Sequence, residues 1–215
     1  LEKTMGLNKN ANGGLLIKEL KLPENLMDYE LPIKRGQTQN EDMRSLGSYI
    51  RDVMNLNKDN YRIFGPDEAL SNRLNHVFEV TNRKWDTKII KTDEYLSRNG
   101  HVIDSILSEH ICEGMLEGYL ITGRHGFIHS YEAFVRIIDS MVSQHAKWLK
   151  VSNSLSWRKE IASLNYILTS HVWQQDHNGY THQDPGFLNH LATKKADTVR
   201  MYLPIDTNTL LSCFN

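Results

Sequence analysis

The polar segment between residues 171 and 184 contains the densest group of side chains that could carry chemistry. It holds three histidines, His171, His177 and His182, with three glutamines, two aspartates and one asparagine. An apolar stretch at 163–170, typical of a buried strand, comes directly before it. Ligands of open α/β sheets bind on loops at the carboxyl ends of strands. The segment therefore predicts a polar site that binds oxyanions or transfers protons.

Two other interpretations of these histidines stay open. His171, His177 and His182 could be ligands of a metal ion, although their spacing matches no standard zinc motif. They could also be scattered surface histidines without a ligand. A metal site predicts stoichiometric zinc in the purified protein, which the other two interpretations do not.

Glu109, Tyr131 and Phe134 are further candidates, each with two interpretations. Glu109 interrupts an apolar helical pattern, either as an acid that favours the start of a helix or as a buried carboxylate with a raised pKa. In the second case it would exchange a proton with a ligand. Tyr131 and Phe134, one helical turn apart, predict either core packing or a flat aromatic wall.

The spacing of apolar residues predicts the elements that position these side chains. Helices are expected over 41–56, 67–80 (capped by Asp67), 103–120 (ended by Gly123), 131–149 and from 206 to 213 (capped by Asp206). Strands are expected over 61–64, 127–128, 163–170 and 198–203. This alternation of strands and helices predicts an α/β fold with a parallel sheet.

Composition excludes several classes of protein. The 215 residues are 40% hydrophobic and 24% charged, and the net charge of -1 gives no basic excess for nucleic acids or anionic membranes. The apolar runs are too short for a transmembrane helix. The two cysteines, Cys112 and Cys213, favour a reducing, cytoplasmic setting. Neither GxGxxG nor GxxxxGK[ST] occurs, so nothing indicates a Rossmann or P-loop nucleotide site.

Two regions of the chain are expected. Residues 1–40 are rich in Gly, Asn, Lys and Pro and predict an inter-domain lead-in, and residues 41–215 predict one domain. The sequence stops soon after a helix begins at Asp206, which indicates a piece of a longer polypeptide. A short natural C-terminal helix is the alternative.

Five long strings resemble phosphoketolases, the thiamine-diphosphate enzymes that cleave xylulose 5-phosphate or fructose 6-phosphate with inorganic phosphate. They are FGPDEALSNRL at 64–74, LSEHICEGMLEGYLITGRHGF at 107–127, YEAFVRIIDSMVSQHAKWLK at 131–150, ASLNYILTSHVWQQDHNGYTHQDPGF at 162–187 and VRMYLPIDTNTLL at 199–211. The resemblance covers nearly the whole chain from Gly13. More distantly, the order of elements is similar to the pyrimidine-binding domain of transketolase-like enzymes. This implies a three-layer, mostly parallel sheet flanked by helices.

The resemblance implies roles for three of the candidates. Glu109 matches the glutamate that hydrogen-bonds N1′ of the cofactor's pyrimidine and shares a proton with it, which is general acid–base catalysis. Tyr131 and Phe134 would pack on the pyrimidine ring. The cofactor implied is thiamine diphosphate with Mg²⁺, and no metal ligand is implied in this chain.

The resemblance also implies a substrate cleft. His182 matches the family histidine that contacts substrate and is the second catalytic residue. The side chains that would line the cleft beside it are Gln175, His177 and Asn178. The substrates implied are a ketose phosphate and inorganic phosphate, and the products are acetyl phosphate and an aldose phosphate.

Some features depart from the family pattern or have no assigned role. Met115 stands where a tryptophan is usual and Gln174 where an arginine is common. Arg124 and His125 resemble the family without an assigned function. The GlyAspGly motif that holds diphosphate and magnesium in the family is absent from this sequence. We therefore expect half a cofactor site, an inactive isolated chain, and a homodimer that includes further domains.

A non-catalytic alternative is also open. The chain could be a stand-alone interaction or dimerisation module whose contact surface is the aromatic and Met-rich face of 131–149.

Overall fold

The computed structural model describes residues 19–104, 106–158, 160–170 and 180–215. In this part of the chain, six strands form one sheet: β1 Tyr61–Phe64, β2 Arg83–Lys84, β3 Leu96–Ser97, β4 Val102–Ile103, β5 His125–Tyr131 and β6 Asn165–Thr169. The α-helices are α1 Asp42–Leu56, α2 Glu109–Ile121, α3 Asp139–Asn153, α4 Gly186–Leu191 and α5 Thr207–Phe214. Short 3₁₀ helices span Leu26–Tyr29, Asn75–Glu79, Val135–Ile138 and Tyr180–His182.

The sheet has the strand order β3-β2-β4-β1-β5-β6, and each neighbouring pair is parallel. Tyr61 of β1 lies opposite His125 of β5, and Phe127 of β5 lies opposite Asn165 of β6. Because the described strands are parallel, their carboxyl ends meet at one edge. The predicted α/β fold with a mostly parallel sheet is confirmed.

Side chains of β1 alternate between two buried layers. Ile63 packs in a cluster with residues of α1 and α5, whereas Phe64 packs with Leu116 and Leu120 of α2. Each fully buried aliphatic or aromatic side chain contributes roughly 1.5–3 kcal/mol. Helices on both faces give the three-layer arrangement implied by the resemblance.

Helix α1 confirms the helix predicted over 41–56. Its buried residues share one face and recur at helical spacing: Leu46, Gly47, Tyr49, Ile50, Val53 and Met54. That face packs on the sheet, which explains why periodicity alone was sufficient to find it.

Helix α2 starts later than the sequence predicted. Val102 and Ile103 belong to β4, and the helix begins at Glu109 after the N-cap Ser108, whose Oγ accepts a hydrogen bond from Ile111 N at 3.4 Å. Pairing with β1 therefore overrides the helical pattern of the first residues. The helix ends at Ile121, and Gly123 follows with φ +83°, as expected for a residue that terminates a helix.

The helix predicted over 67–80 is wrong. Asp67 and Arg73 have positive φ angles of 62°, and only Asn75–Glu79 is helical, as a 3₁₀ turn. Left-handed residues cannot continue a right-handed helix. Asp67 therefore shapes a turn at the end of β1 and does not cap a helix.

The prediction of one long helix over 131–149 places the start of that helix too early. Tyr131 is the last residue of β5, a 3₁₀ helix follows at Val135–Ile138, and α3 begins at Asp139. Tyr131 pairs with Thr169 of β6, so the sheet overrides the local helical spacing at this point.

The remaining predictions have mixed outcomes. Strands over 61–64 and 163–170 are confirmed as β1 and β6, and the short piece at 127–128 is part of the longer β5. The strand predicted over 198–203 is wrong, because this segment pairs with no strand among the described residues and Met201, Tyr202 and Leu203 are exposed. Helix α5 is confirmed, with Asp206 in a capping box with Thr209.

The expected lead-in is described only from residue 19. Its 3₁₀ helix packs on α1, where Tyr29 Oη donates to Asp52 Oδ2 at 2.6 Å. The domain boundary at residue 40 stays a prediction. In the described part of the chain, no helix is both long and apolar enough to cross a membrane.

Candidate active site

The carboxyl ends of β1, β4, β5 and β6 carry the candidate site. The chain turns there at Gly65 after β1, at Asp104 after β4, at Glu132 after β5 and at Ser170 after β6. Helix α2 starts at the same edge, since Cys112 Sγ in its first turn contacts Gly65 O at 3.3 Å. Loops at this edge are the expected ligand position in an open α/β sheet.

Glu109 is the first residue of α2. Its carboxylate therefore lies at the positive end of the helix dipole, as the simpler interpretation of the sequence expected. The side chain is half-buried. The second interpretation, a carboxylate that exchanges a proton with a ligand, stays a prediction. A half-buried carboxylate at a helix start is accessible to a ligand.

Tyr131, Phe134 and His182 form an aromatic group beside the end of β5. The centroid of the His182 ring lies 5.1 Å from the centroid of Tyr131 and 5.1 Å from that of Phe134. The centroids of Tyr131 and Phe134 are 6.0 Å apart. Tyr131 and Phe134 meet at 77°, edge to face, so the flat wall predicted from helical spacing is wrong. The group is instead a corner, with Tyr131 buried and Phe134 41% exposed.

Hydrogen bonds of its backbone carbonyl and of its ring hold His182 in place. Its carbonyl accepts a hydrogen bond from Ala133 N at 3.3 Å, and its Nδ1 is 2.9 Å from Thr181 Oγ1. The structure therefore places the proposed substrate histidine against Tyr131 and Phe134, although 48 residues separate Phe134 from it in sequence.

Other predicted site residues lie outside the described residues. These are Gln175, His177 and Asn178, and also His171 of the metal hypothesis. The three-histidine metal hypothesis is consequently not decided. Among the described residues, no group of three or more His, Cys, Asp or Glu side chains could hold a metal ion.

Glu68 belongs to the site and was missed by the sequence analysis. It is only 8% exposed, and its Oε2 accepts a hydrogen bond from Tyr131 N at 3.2 Å. Burial, followed by the charge of Glu109, raises the pKa of Glu68 to about 7. The sequence offered a signal for Glu68, because the residue follows the strand at 61–64 and the pair Gly65-Pro66. Ligands bind on loops at the carboxyl ends of strands, and the same rule predicted the site at 171–184.

A second missed feature is a buried polar network around Asn72. Asn72 Nδ2 lies 3.0 Å from His129 Nδ1, and Asn72 Oδ1 accepts from Thr169 Oγ1 at 2.7 Å. Burial lowers the pKa of His129 to about 3, so the ring is neutral. The network joins the turn after β1 to β5 and β6 beneath Tyr131.

Glu132 connects the aromatic group to the loop after His182. Its side chain is fully buried, and Oε2 accepts from Asp184 N at 3.1 Å. Asp184 also pairs with Arg136 at 3.1 Å. Burial raises the pKa of Glu132. Backbone and ionic contacts thus fix the loop that carries His182.

Arg124 and His125 lie at the opposite edge of the sheet. His125 N donates to Asn60 O at 2.8 Å at the amino end of β5, and Arg124 Nη1 donates to Thr122 Oγ1 at 2.7 Å. Arg124 also stacks on Tyr119, with Cζ 5.7 Å from the ring centroid. Their position separates them from the candidate site.

The donor set at the carboxyl edge fits the pyrimidine end of thiamine diphosphate. A flat ring with nitrogens at its rim needs a carboxylate and aromatic faces, which Glu109, Tyr131 and Phe134 supply. Two buried atoms close to this group, His129 Nε2 and Glu132 Oε1, have no partner among the described residues.

Comparison with known proteins identifies the family of this chain. Residues 44–215 match the family of D-xylulose 5-phosphate/D-fructose 6-phosphate phosphoketolases. A probable phosphoketolase of Clostridium acetobutylicum is 60% identical over 217 residues, which cover 99% of this chain and 27% of that protein. Probable phosphoketolase 2 of Rhizobium meliloti is 57% identical over 214 residues, covering 98% of this chain and 27% of that protein.

A probable phosphoketolase of Nitrosomonas europaea is 55% identical over 212 residues, covering 97% of this chain. The chain spans 27% of the length of each of these relatives. Similarity this extensive, over nearly the whole chain, shows that the chain belongs to the phosphoketolase family.

Proposed function

We propose that this chain is the pyrimidine-binding part of a phosphoketolase. The complete protein would cleave xylulose 5-phosphate, fructose 6-phosphate or both with inorganic phosphate, and release acetyl phosphate and an aldose phosphate. The observation that carries the proposal is the family match over 44–215. In support of it, Glu109 starts α2 at the carboxyl edge of the sheet, the edge where Tyr131, Phe134 and His182 also lie.

Thiamine diphosphate with Mg²⁺ would supply the carbanion chemistry of the reaction. Glu109 would hold a proton at its carboxylate next to the pyrimidine ring, from a position accessible to a ligand. Tyr131 and Phe134 would pack on that ring and exclude water from one side. Burial of Tyr131 and its backbone contact with Glu68 support a fixed position for the aromatic group.

Substrate would enter beside His182. We assign the contacts to the ketose phosphate to His182 and to Gln175, His177 and Asn178. His182 is supported by its backbone anchor and by its contact with both aromatic rings. The other three assignments rest on the resemblance of their sequence segment.

The chain would be one part of a larger active site. The diphosphate and Mg²⁺ would be bound by other domains, and the active form would be a cytoplasmic homodimer. The coverage of 27% of each relative supports an incomplete site in these 215 residues. We therefore expect the isolated chain to be inactive.

Acetyl phosphate release tests the proposal. The full-length parent and the 215-residue chain are incubated with each ketose phosphate, inorganic phosphate, thiamine diphosphate and Mg²⁺. Product from the parent alone is the expected result. A parent that releases no acetyl phosphate would contradict the proposal and favour the non-catalytic interaction module.

Glu109→Gln in the full-length protein tests the residue assignment. We expect turnover to fall by about 10²–10⁴-fold, the usual contribution of a general acid–base group, with an unchanged melting temperature. Glu94→Gln is the control, because Glu94 is an exposed loop residue. Activity of Glu109→Gln within a few-fold of wild type would refute the role of Glu109.

A further inference from the structure

Two short segments of the chain meet on one side of the candidate site. Residues 131–136 begin at the last residue of β5, and residues 182–186 connect His182 to the start of α4. The rings of Tyr131 and Phe134 in the first segment each lie 5.1 Å from the His182 ring in the second. The position of His182 therefore depends on contacts with a segment that is distant in sequence.

Glu132 bonds to both sides of this junction. Its backbone N–H donates to Thr169 O at the end of β6 at 3.0 Å, and its Oε2 accepts from Asp184 N at 3.1 Å. The side chain is fully buried. Because burial of a carboxyl group is costly unless a partner compensates it, packing alone does not explain a glutamate at this position. Its hydrogen bonds connect the ends of β5 and β6 to the residue two positions after His182.

Asp184 is the second connecting residue. Its Oδ1 accepts from Gly186 N at 2.8 Å, and its Oδ2 accepts from Arg136 Nη1 at 3.1 Å. Its backbone N–H donates to Glu132, as described above. Hydrogen bonds to an ionised group are stronger than neutral ones and restrict its orientation. The turn between His182 and Gly186 is thus held through both the backbone and the side chain of one residue.

Arg136 covers the turn from outside. A Cβ atom at position 186 would lie 2.6 Å from Arg136 Nε and 2.7 Å from Arg136 Cζ, so the guanidinium lies directly against Gly186. The Arg136 side chain is 50% exposed, and it also pairs with Asp139 at 4.0 Å. Exposed ion pairs contribute little to stability. We therefore expect the pair of Arg136 and Asp184 to orient the turn more than it stabilises the fold.

We propose that Glu132, Arg136 and Asp184 form a latch that positions His182. All three would be positioning residues that act through the turn and not through contact with substrate. The inference rests on the proposed function for its catalytic meaning, because His182 is the substrate contact assigned there. A displacement of about 1 Å in a site can reduce the rate by about 100-fold, so a fixed turn matters for turnover.

Hydrogen exchange of the full-length protein, without cofactor or substrate, tests the latch directly. Glu132→Ala removes the acceptor of Asp184 N, whereas Glu132→Gln keeps a carbonyl oxygen that can take its place. In Glu132→Ala, the amides of 182–191 should exchange about tenfold faster or more, while those of α1 should not change. Glu132→Gln should restore most of the protection. Unchanged exchange at 182–191, or an equal increase in α1, would overturn the latch.

Arg136→Ala tests the exposed side of the latch without a change in the interior. Exchange at 182–191 should rise, and Arg136→Lys, which keeps a cation for Asp184, should restore most of the protection. Arg44→Ala is the matched control, because Arg44 forms a similarly exposed ion pair with Glu41 on the other side of the sheet. It should leave exchange at 182–191 unchanged. Equal exchange in Arg136→Ala and Arg44→Ala would overturn the latch as proposed.

Steady-state kinetics of the full-length protein provide the functional readout. In Glu132→Ala, KM for the ketose phosphate should rise by about tenfold or more, and Arg136→Ala should change it in the same direction. A purely structural role would reduce the active fraction, and with it kcat, without a change in KM. An unchanged KM would overturn the positioning role. Because hydrogen exchange needs no substrate, a parent that releases no acetyl phosphate would refute the proposed function, and hydrogen exchange would still decide whether the latch exists.

Discussion

At the scale of single residues, the site depends on one close approach between β1 and β5. A Cβ atom at Gly65 would lie 2.2 Å from the His129 ring, well inside van der Waals contact. His129 is fully buried and bonds to Asn72, which holds the turn that contains Glu68. Position 65 therefore requires glycine, because a larger residue would displace His129 and its hydrogen bond to Asn72.

Gly65→Ala should lower the free energy of unfolding by about 1–3 kcal/mol, the typical cost of overpacking a buried position. Urea denaturation measures the change. Gly118→Ala is the control, because a Cβ at this helical position meets no atom within 4 Å. It should raise stability by roughly 0.5–1 kcal/mol through helix propensity. Equal or higher stability of Gly65→Ala would refute the steric argument.

At the scale of elements, the start of α2 decides where Glu109 lies. Ser108 is the N-cap, its side chain accepts from Ile111 N, and the residue is 8% exposed. The cap fixes the first turn of the helix, and with it the backbone position of Glu109. The contact of Cys112 with Gly65 O then fixes this turn against the sheet.

Ser108→Ala should destabilise the protein by about 0.5–2 kcal/mol and reduce turnover of the full-length protein at temperatures where it remains folded. The physical reason is fraying of the turn that holds Glu109. Asp206→Ala, which removes the cap of α5, is the comparison. It should reduce stability and leave turnover unchanged. Equal turnover for Ser108→Ala and wild type would show that the cap does not position Glu109.

At the scale of the whole molecule, stability depends on pH through carboxyl groups in the interior. Glu113 is fully buried between α2 and β6, and Tyr166 Oη donates to its Oε1 at 2.8 Å. Burial raises its pKa from 4.5 to about 8, so the folded state binds a proton that the unfolded state releases. Its contribution to stability is complete below pH 4.5 and is lost as pH rises through about 8.

The free energy of unfolding should therefore fall between pH 4.5 and 8, with a slope of at most about 1.4 kcal/mol per pH unit from this group. Glu113→Gln should flatten this slope, because a neutral amide does not titrate. Denaturation at a series of pH values measures it, and Glu94→Gln should leave the slope unchanged. A Glu113→Gln slope as steep as that of wild type would contradict the assignment.

The local sequence pattern was sufficient to predict a helix or strand wherever one face of that element is apolar and its neighbours are near in sequence. This holds for α1, whose buried face shows helical spacing, for β1 and β6, and for the cap at Asp206. It failed at 67–80 and at 198–203. At 67–80, residues with left-handed backbone angles interrupt the helical pattern. At 198–203, an apolar stretch pairs with no strand in the part of the chain that the structure describes.

The amino-acid sequence by itself determined the α/β class, the phosphoketolase family and the choice of Glu109, Tyr131, Phe134 and His182 as candidates. Only the tertiary structure decided that Tyr131 and Phe134 form a corner around His182 and that Glu68 lies beneath Tyr131. The physical reason is that periodicity reports which face of an element is buried. Parallel pairing of distant strands decides which side chains meet at the edge of the sheet.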